Sequence, residues 1–196
     1  MRFKDIIGES QFDGFKLVSS NQNKLREYNR FGLHIQIEPG KDLKEVNGTD
    51  VEVIIHKAKD AGPMHIVEDT SLNVEGASVG VNVRWLLDNL ATLAGRKATW
   101  VVMIGVNTGD AIEVYKGEIV GTLTTPAEGT PSNGFGFDPY FVPRGSNETM
   151  AALDAKGQKD NYSARKAAIR NMLDGKAIKR VELKDIGDWT GDYQHD

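Results

Sequence analysis

The sequence predicts an α/β protein: an elongated, mixed and twisted sheet flanked by helices, with two lobes around a central cleft. Three observations predict it. The first half alternates short strand-like and helix-like segments, the pattern of a sheet built with helical crossovers. Residues 100–106 form a near-continuous apolar run, as a buried central strand does. Residues 111–116 and 118–123 then alternate apolar and polar side chains around Gly117, which reads as a hairpin and makes the middle of the chain β-rich.

The totals narrow the possibilities. The 196 residues suit a single domain over 1–196, with an extension at 1–14 and a tail at 176–196. Hydrophobic residues make up 39% and charged residues 27%, which excludes a disordered chain. Cysteine is absent, so disulfides and thiolate chemistry are excluded. The four histidines, His34, His56, His65 and His195, include no helical i, i+4 pair, which argues against zinc. A net charge of −4 argues against nucleic acid as a partner, while allowing a local basic pocket. The first residues lack the apolar run of a signal peptide and no stretch reaches membrane-spanning length. The expectation is a cytoplasmic protein with no membrane partner.

Taken in order, residues 1–14 carry scattered apolar positions (Phe3, Ile6, Ile7, Phe12) suited to a short amphipathic helix, and Asp13-Gly14 ends it. A first strand is expected over 15–19. The turn Ser19-Ser20-Asn21-Gln22-Asn23-Lys24 follows, ahead of a helix over 25–31. Hydroxyl and amide groups at a helix start, with a lysine one turn in, can hold an anion. The same residues also read as a plain N-cap beside a solvated lysine. The glycines of a Walker loop are missing, so this is no P-loop.

A second strand is expected over 33–38, ended by Pro39-Gly40. A helix over 51–61, capped by Thr49 or Asp50, carries Lys57 beside its apolar positions, where a lysine needs a partner or a ligand. Residues 66–72 follow: Ile-Val running into Glu68-Asp69, then Thr70-Ser71. Acids at the end of a strand are how α/β enzymes present metal ligands or a general base. The alternative is a strand followed by a turn, with Asp69 or Thr70 as cap. Because strand residues alternate in direction, only one of the two acids should face a cleft, and Asp69 is expected to be that one.

Residues 82–93 read as a helix, with Val83, Leu86, Leu87 and Leu90 as one stripe and Arg84 and Trp85 on its flank. After a turn-rich loop at 126–133 comes Gly134-Phe135-Gly136-Phe137-Asp138-Pro139. Glycines between aromatics let the backbone approach a flat ligand while the rings offer stacking faces; a turn in the hydrophobic core is the alternative. Ser163 can cap a last helix to about 173. Arg165 and Lys166 in its first turn oppose the helix dipole, which makes sense if they hold an anion, or if they form an ordinary solvated surface. A terminal strand over 180–183 and a mobile end complete the chain.

Together these pieces resemble the inosine triphosphate pyrophosphatase (ITPase) family, over roughly 15–173. The motifs run in one order: Ser-x-Asn-x-x-Lys at 19–24, Glu45 with Gly48, Lys57-Ala58, Val-Glu-Asp-Thr-Ser-Leu at 67–72, Arg-Trp-Leu-Leu at 84–87, Gly-Phe-Gly-Phe-Asp-Pro at 134–139, Lys159, and Ser-Ala-Arg at 163–165. The 67–72 version resembles the eukaryotic branch, where the bacterial one favours Asp-Asp-Ser-Gly. The resemblance implies an acid-anhydride hydrolase that converts a nucleoside triphosphate, in particular ITP, dITP or XTP, to its monophosphate and pyrophosphate, with Mg²⁺ and as a homodimer. It implies that Ser19, Asn21 and Lys24 hold the triphosphate, Lys57 neutralises its charge, and Glu45 and Asp69 serve the metal and the attacking water. It gives Phe135, Phe137 and Asp138 to the base, and has Lys159, Ser163 and Arg165 close over the nucleotide.

Two departures stand out. The family normally reads Ser-His-Arg at the last motif, where the histidine helps to read a purine 6-oxo group; here the position is Ala164. The acid common in the segment before it is missing at Ala151-Ala152-Leu153. The expectation is triphosphate hydrolysis with relaxed or shifted base preference. A Maf-type nucleotide pyrophosphatase is one alternative, against which the 134–139 segment speaks. A catalytically weak nucleotide-binding or sensing protein is another, against which Lys24, Glu45 and Asp69 speak.

Overall fold

The structure is a computed structural model that describes residues 11–39, 41–77, 88–124 and 138–194. The strands are β1 (Lys16–Val18), β2 (Gln36–Glu38), β3 (His65–Val74), β4 (Lys97–Asn107), β5 (Ala111–Leu123), β6 (Phe141–Pro143) and β7 (Lys179–Glu182). The helices are α1 (Gln22–Arg30), α2 (Asp50–Ala61), α3 (Leu90–Leu93), α4 (Met150–Ala155) and α5 (Ala164–Leu173). The strands form one seven-stranded sheet in the order β2-β1-β3-β4-β5-β6, with β7 also paired to β5. It is mixed, as expected: β1 runs parallel to β2 and β3, while β5 runs antiparallel to β6 and β7. Of the helix expected over 82–93, only its end lies in the described residues, as α3; 1–10 and 134–137 lie outside them.

The chain divides into two compact units. The first comprises Met1–Asp69, Met103–Lys116 and Ile169–Asp196. Its α2 is set by a capping box: the Glu52 amide donates to Thr49 Oγ1 at 3.2 Å, and the Thr49 amide to Glu52 Oε1 at 3.0 Å. Its apolar side (Val53, Ile54, Ile55, Ala58, Ala61) is buried. Gly105 of β4 lets this helix approach, because a Cβ there would lie 3.0 Å from Ala58 Cβ and from Ile54 Cγ1. The second unit comprises Thr70–Val102 and Gly117–Ala168, with Trp100, Leu123, Phe141, Met150 and Leu153 in its core.

Three expectations need correction. The stretch at 66–72 does not end a strand, and neither Asp69 nor Thr70 caps a turn, since β3 continues to Val74. What ends there is the neighbour. With Leu17 opposite Ile66, the short β1 gives way to its turn level with Glu68 and Asp69. Second, there is no hairpin at Gly117. That glycine lies inside the continuous β5, and a Cβ on it would fall 2.1 Å from the Ala164 carbonyl oxygen and 2.4 Å from the Ala168 amide nitrogen. The glycine serves the close approach of α5, not a turn. The turn lies earlier, at 108–110, where the Thr108 amide donates to the Ala111 carbonyl at 3.0 Å. Third, the tail is tied down as far as the described residues reach: residues 192–194 pair with 45–47. A polar tail finds backbone partners here, which composition alone does not signal.

Candidate active site

In the first unit the turn after β1 is built by its own side chains. The Asn21 amide donates to Ser19 Oγ at 3.0 Å. Asn21 Oδ1 accepts from the Asn23 and Lys24 amides at 3.0 and 3.3 Å, which caps α1. Both oxygens are thus occupied as acceptors, while the Ser19 hydroxyl and the Asn21 amide nitrogen keep their donor character. Ser19, Lys24, Lys57 and Glu68 line one open pocket of about 450 Å³, together with Glu38 and Lys41. Three lysines and three acids (Glu38, Asp42 and Glu68) line it, so an anion that meets the lysines also meets acids, a setting in which a bridging cation helps.

Lys57 is the junction of this unit. Its ammonium donates to Glu45 Oε1 at 3.1 Å and to the Glu68 carbonyl at 3.0 Å. The two acids of β3 diverge. Glu68 is buried, and its Oε2 accepts the hydroxyl of the fully buried Tyr28 on α1 at 2.9 Å. Asp69 is pushed up to about 6, first by burial, and also by the negative charges of Glu45, Asp50 and Glu68; the Lys57 ammonium opposes them. Tyr28 was not singled out in the sequence, although it is the one aromatic ring in a mostly polar helix.

The resemblance implies Mg²⁺, so the residues must be tested against it. Among the described residues, no group of three His, Asp or Glu side chains gathers into a metal cage. Magnesium does not require one: it keeps several waters and takes one or two carboxylates plus substrate phosphates. Glu45 and Asp69 supply two carboxylates around the same lysine, and Asp69, raised first by burial and further by neighbouring carboxylates, is a group whose charged form a divalent cation would stabilise. The donor set fits the ion.

In the second unit Lys159 donates to Asp138 Oδ2 at 2.7 Å. Asp138 is 1% exposed, and the ammonium lies 5.9 Å from the centre of the Trp100 ring. Trp100 in turn meets Phe141 edge-to-face at 6.3 Å. This ring beside Lys159 was read from the sequence only as part of a buried strand. Ser163 Oγ accepts from the Lys166 amide at 3.1 Å, the N-cap expected of it. Arg165 is buried at 5% exposure, so the solvated-surface reading fails for that residue. Ala164 is buried as well, at the point where α5 meets Gly117. Phe135 and Phe137 lie outside the described residues.

Residues 15–175 match the model of the Ham1 family. The inosine triphosphate pyrophosphatase of Yarrowia lipolytica is 32% identical over 175 residues, covering 79% of this chain and 91% of that protein. The dITP/XTP pyrophosphatase of Korarchaeum cryptofilum is 26% identical over 176 residues, covering 79% and 91%. Among solved structures, the Staphylococcus aureus Ham1 protein superposes with a TM-score of 0.65 at 26% identity, covering 82% of this chain and 97% of that one. No helix among the described residues is long and apolar enough to cross a membrane. A family match over most of the chain makes this chain a member of the Ham1 family, the ITPase family that its motifs resemble.

Proposed function

We propose that the chain is a Mg²⁺-dependent nucleoside triphosphate pyrophosphatase acting on deaminated purine nucleotides such as ITP, dITP and XTP, with base preference shifted from that of its relatives. The observation that carries the reading is the meeting of Glu45 and Glu68 on Lys57, beside Asp69 and a pocket shared by Ser19 and Lys24. Relatives named for dITP/XTP and inosine triphosphate hydrolysis support it.

Ser19, Asn21 and Lys24 hold the phosphate oxygens, and Lys57 neutralises charge that builds on the departing pyrophosphate. Glu45 and Asp69 would hold the ion, which when bound supplies Lewis-acid neutralisation of phosphate charge. Asp69 orients the attacking water and takes its proton as the water oxygen bonds to the α-phosphorus and the bond to the pyrophosphate oxygen breaks. A carboxyl held at about 6 suits a base working near neutrality. Phe135 and Phe137 stack on the base, with Asp138, Lys159, Ser163 and Arg165 around the nucleotide. Ala164 offers no donor to a 6-oxo group, and this is the reason to expect altered selectivity. The same reading makes the protein a cytoplasmic homodimer, with sedimentation of the purified chain as the check on the dimer.

The test is a panel of ITP, dITP, XTP and the four ordinary dNTPs, followed by pyrophosphate release in Mg²⁺. Release from several triphosphates with a weakened preference for the 6-oxo purines is expected. Strong selectivity for ITP would overturn the shift in base preference. No release from any triphosphate would favour a binding or sensing protein on this fold.

A further inference from the structure

The family match stops at residue 175, yet the chain beyond it is stitched to the segment that carries Glu45. The Gln194 amide donates to the Glu45 carbonyl at 2.8 Å, and the Asn47 amide donates to the Asp192 carbonyl at 2.9 Å. Between these bonds Val46 faces Tyr193 in an antiparallel bridge, and Gln194 Nε2 donates to the Val46 carbonyl at 3.1 Å. The tail is itself fastened. Trp189 Nε1 donates to the Asp192 carbonyl at 2.8 Å, and its ring meets His56 of α2 edge-to-face at 5.2 Å. Lys59, also on α2, donates to the Ile186 carbonyl and to Asp188, both at 3.3 Å. The Lys44 ammonium sits 5.3 Å over the Tyr193 ring.

Glu45 lies in the connection between β2 and α2, which forms no strand or helix of its own among its described residues. A free connection of that length has many conformations, and fixing each residue costs about 1–2 kcal/mol. The bonds at Glu45, Val46 and Asn47 remove that freedom at the residue whose carboxylate must stay beside Lys57. Val46 is 1% exposed, so the clasp also anchors this segment in the core.

We infer that residues 186–194 form a clasp that positions the Glu45 carboxylate for the divalent cation, so that Gln194 and Trp189 set metal affinity without touching the metal; this rests on the role of Glu45 proposed above. Groups that orient a metal ligand from behind commonly change affinity by about 10–100-fold when removed. Gln194→Pro deletes both the amide donor and the side-chain amide. Gln194→Ala keeps the amide donor to Glu45.

The test measures Mn²⁺ binding by electron paramagnetic resonance on the nucleotide-free full chain, beside the Mg²⁺ dependence of pyrophosphate release. Glu45→Gln sets the scale for direct loss of a ligand. Gln194→Pro and Trp189→Ala are expected to weaken Mn²⁺ binding about tenfold and to raise the Mg²⁺ requirement equally, with the nucleotide KM at saturating Mg²⁺ little changed. Gln194→Ala, which loses only the side-chain bond to Val46, should fall between wild type and Gln194→Pro. Ile112→Val, a buried change distant in sequence from the clasp, controls for lost stability and should leave Mn²⁺ affinity alone. Wild-type affinity in Gln194→Pro and Trp189→Ala, with Glu45→Gln impaired, would overturn the clasp and leave the proposed function standing. Wild-type affinity in Glu45→Gln itself would overturn the metal role of Glu45 and the clasp with it. A loss in Ile112→Val as large as in Gln194→Pro would also overturn the clasp.

Discussion

In the first unit, Lys57 is shared between the Glu45 carboxylate and the Glu68 carbonyl, and Asp69 is left with its carboxyl pushed up to about 6. In the second, Lys159 faces Asp138 at 2.7 Å, one charge to one charge, out of water. The first arrangement costs the folded state something, because a partly buried carboxylate sits among other carboxylates with one ammonium to oppose them. The second is matched, and the cost appears only when one partner is removed. Burial alone does not distinguish the two arrangements, since Glu68 and Asp138 are both buried carboxylates held by a neighbour's donor.

The sharpest way to break this contrast is Asp69→Asn. It should reduce pyrophosphate release by about a thousandfold, roughly 4 kcal/mol of barrier, while nucleotide binding measured by calorimetry persists. Lys159→Met should instead destabilise the fold by about 3 kcal/mol, read from urea unfolding, because it leaves the Asp138 carboxylate buried without its ammonium.

The third effect runs in the opposite direction. A carboxyl raised from 3.8 to about 6 binds its proton more tightly when folded. The wild type therefore loses nothing below pH 4 and loses stability as pH rises through 4 to 6, with the full penalty above that. Asp69→Asn has no such penalty. In EDTA at pH 8 the variant should be more stable than wild type by about 2 kcal/mol, less than the full two-unit value because the group is partly exposed, and the advantage should vanish below pH 4. An equal advantage at pH 4 and pH 8 would show that packing, not charge, is responsible. The smallest expected change is Tyr28→Phe, about 1 kcal/mol of stability from loss of the hydroxyl bond to Glu68, measured by thermal melting.

Much of this was legible in the sequence because local rules agreed with the fold. A cap at Thr49 or Asp50 announced the start of α2, and Thr49 is the one used; Ser163 announced α5. The motif order carried the family. What was not legible depended on contacts distant in sequence. Gly117 looks like a turn residue from its neighbours, and only the arrival of α5 reveals the reason for it. Tyr28 acquires its role from Glu68, forty residues on. The tail at 186–194 has the composition of a free end, and its order comes from backbone groups of 45–47, which no side-chain pattern reports.

The long β5 carries β7 along 111–114 and β6 along 121–123. Beside these, the Asn171 amide donates to the Lys116 carbonyl at 2.8 Å, and the Arg144 amide to the Val120 carbonyl at 2.8 Å. Short pieces thus occupy most of an edge that would otherwise run for thirteen residues. An open edge of that length is a template for another chain, and amyloid-like growth starts from such templates. Here a stray strand finds its hydrogen-bonding groups already taken along most of β5, so the strand is closed to sheet continuation by another chain over most of its length.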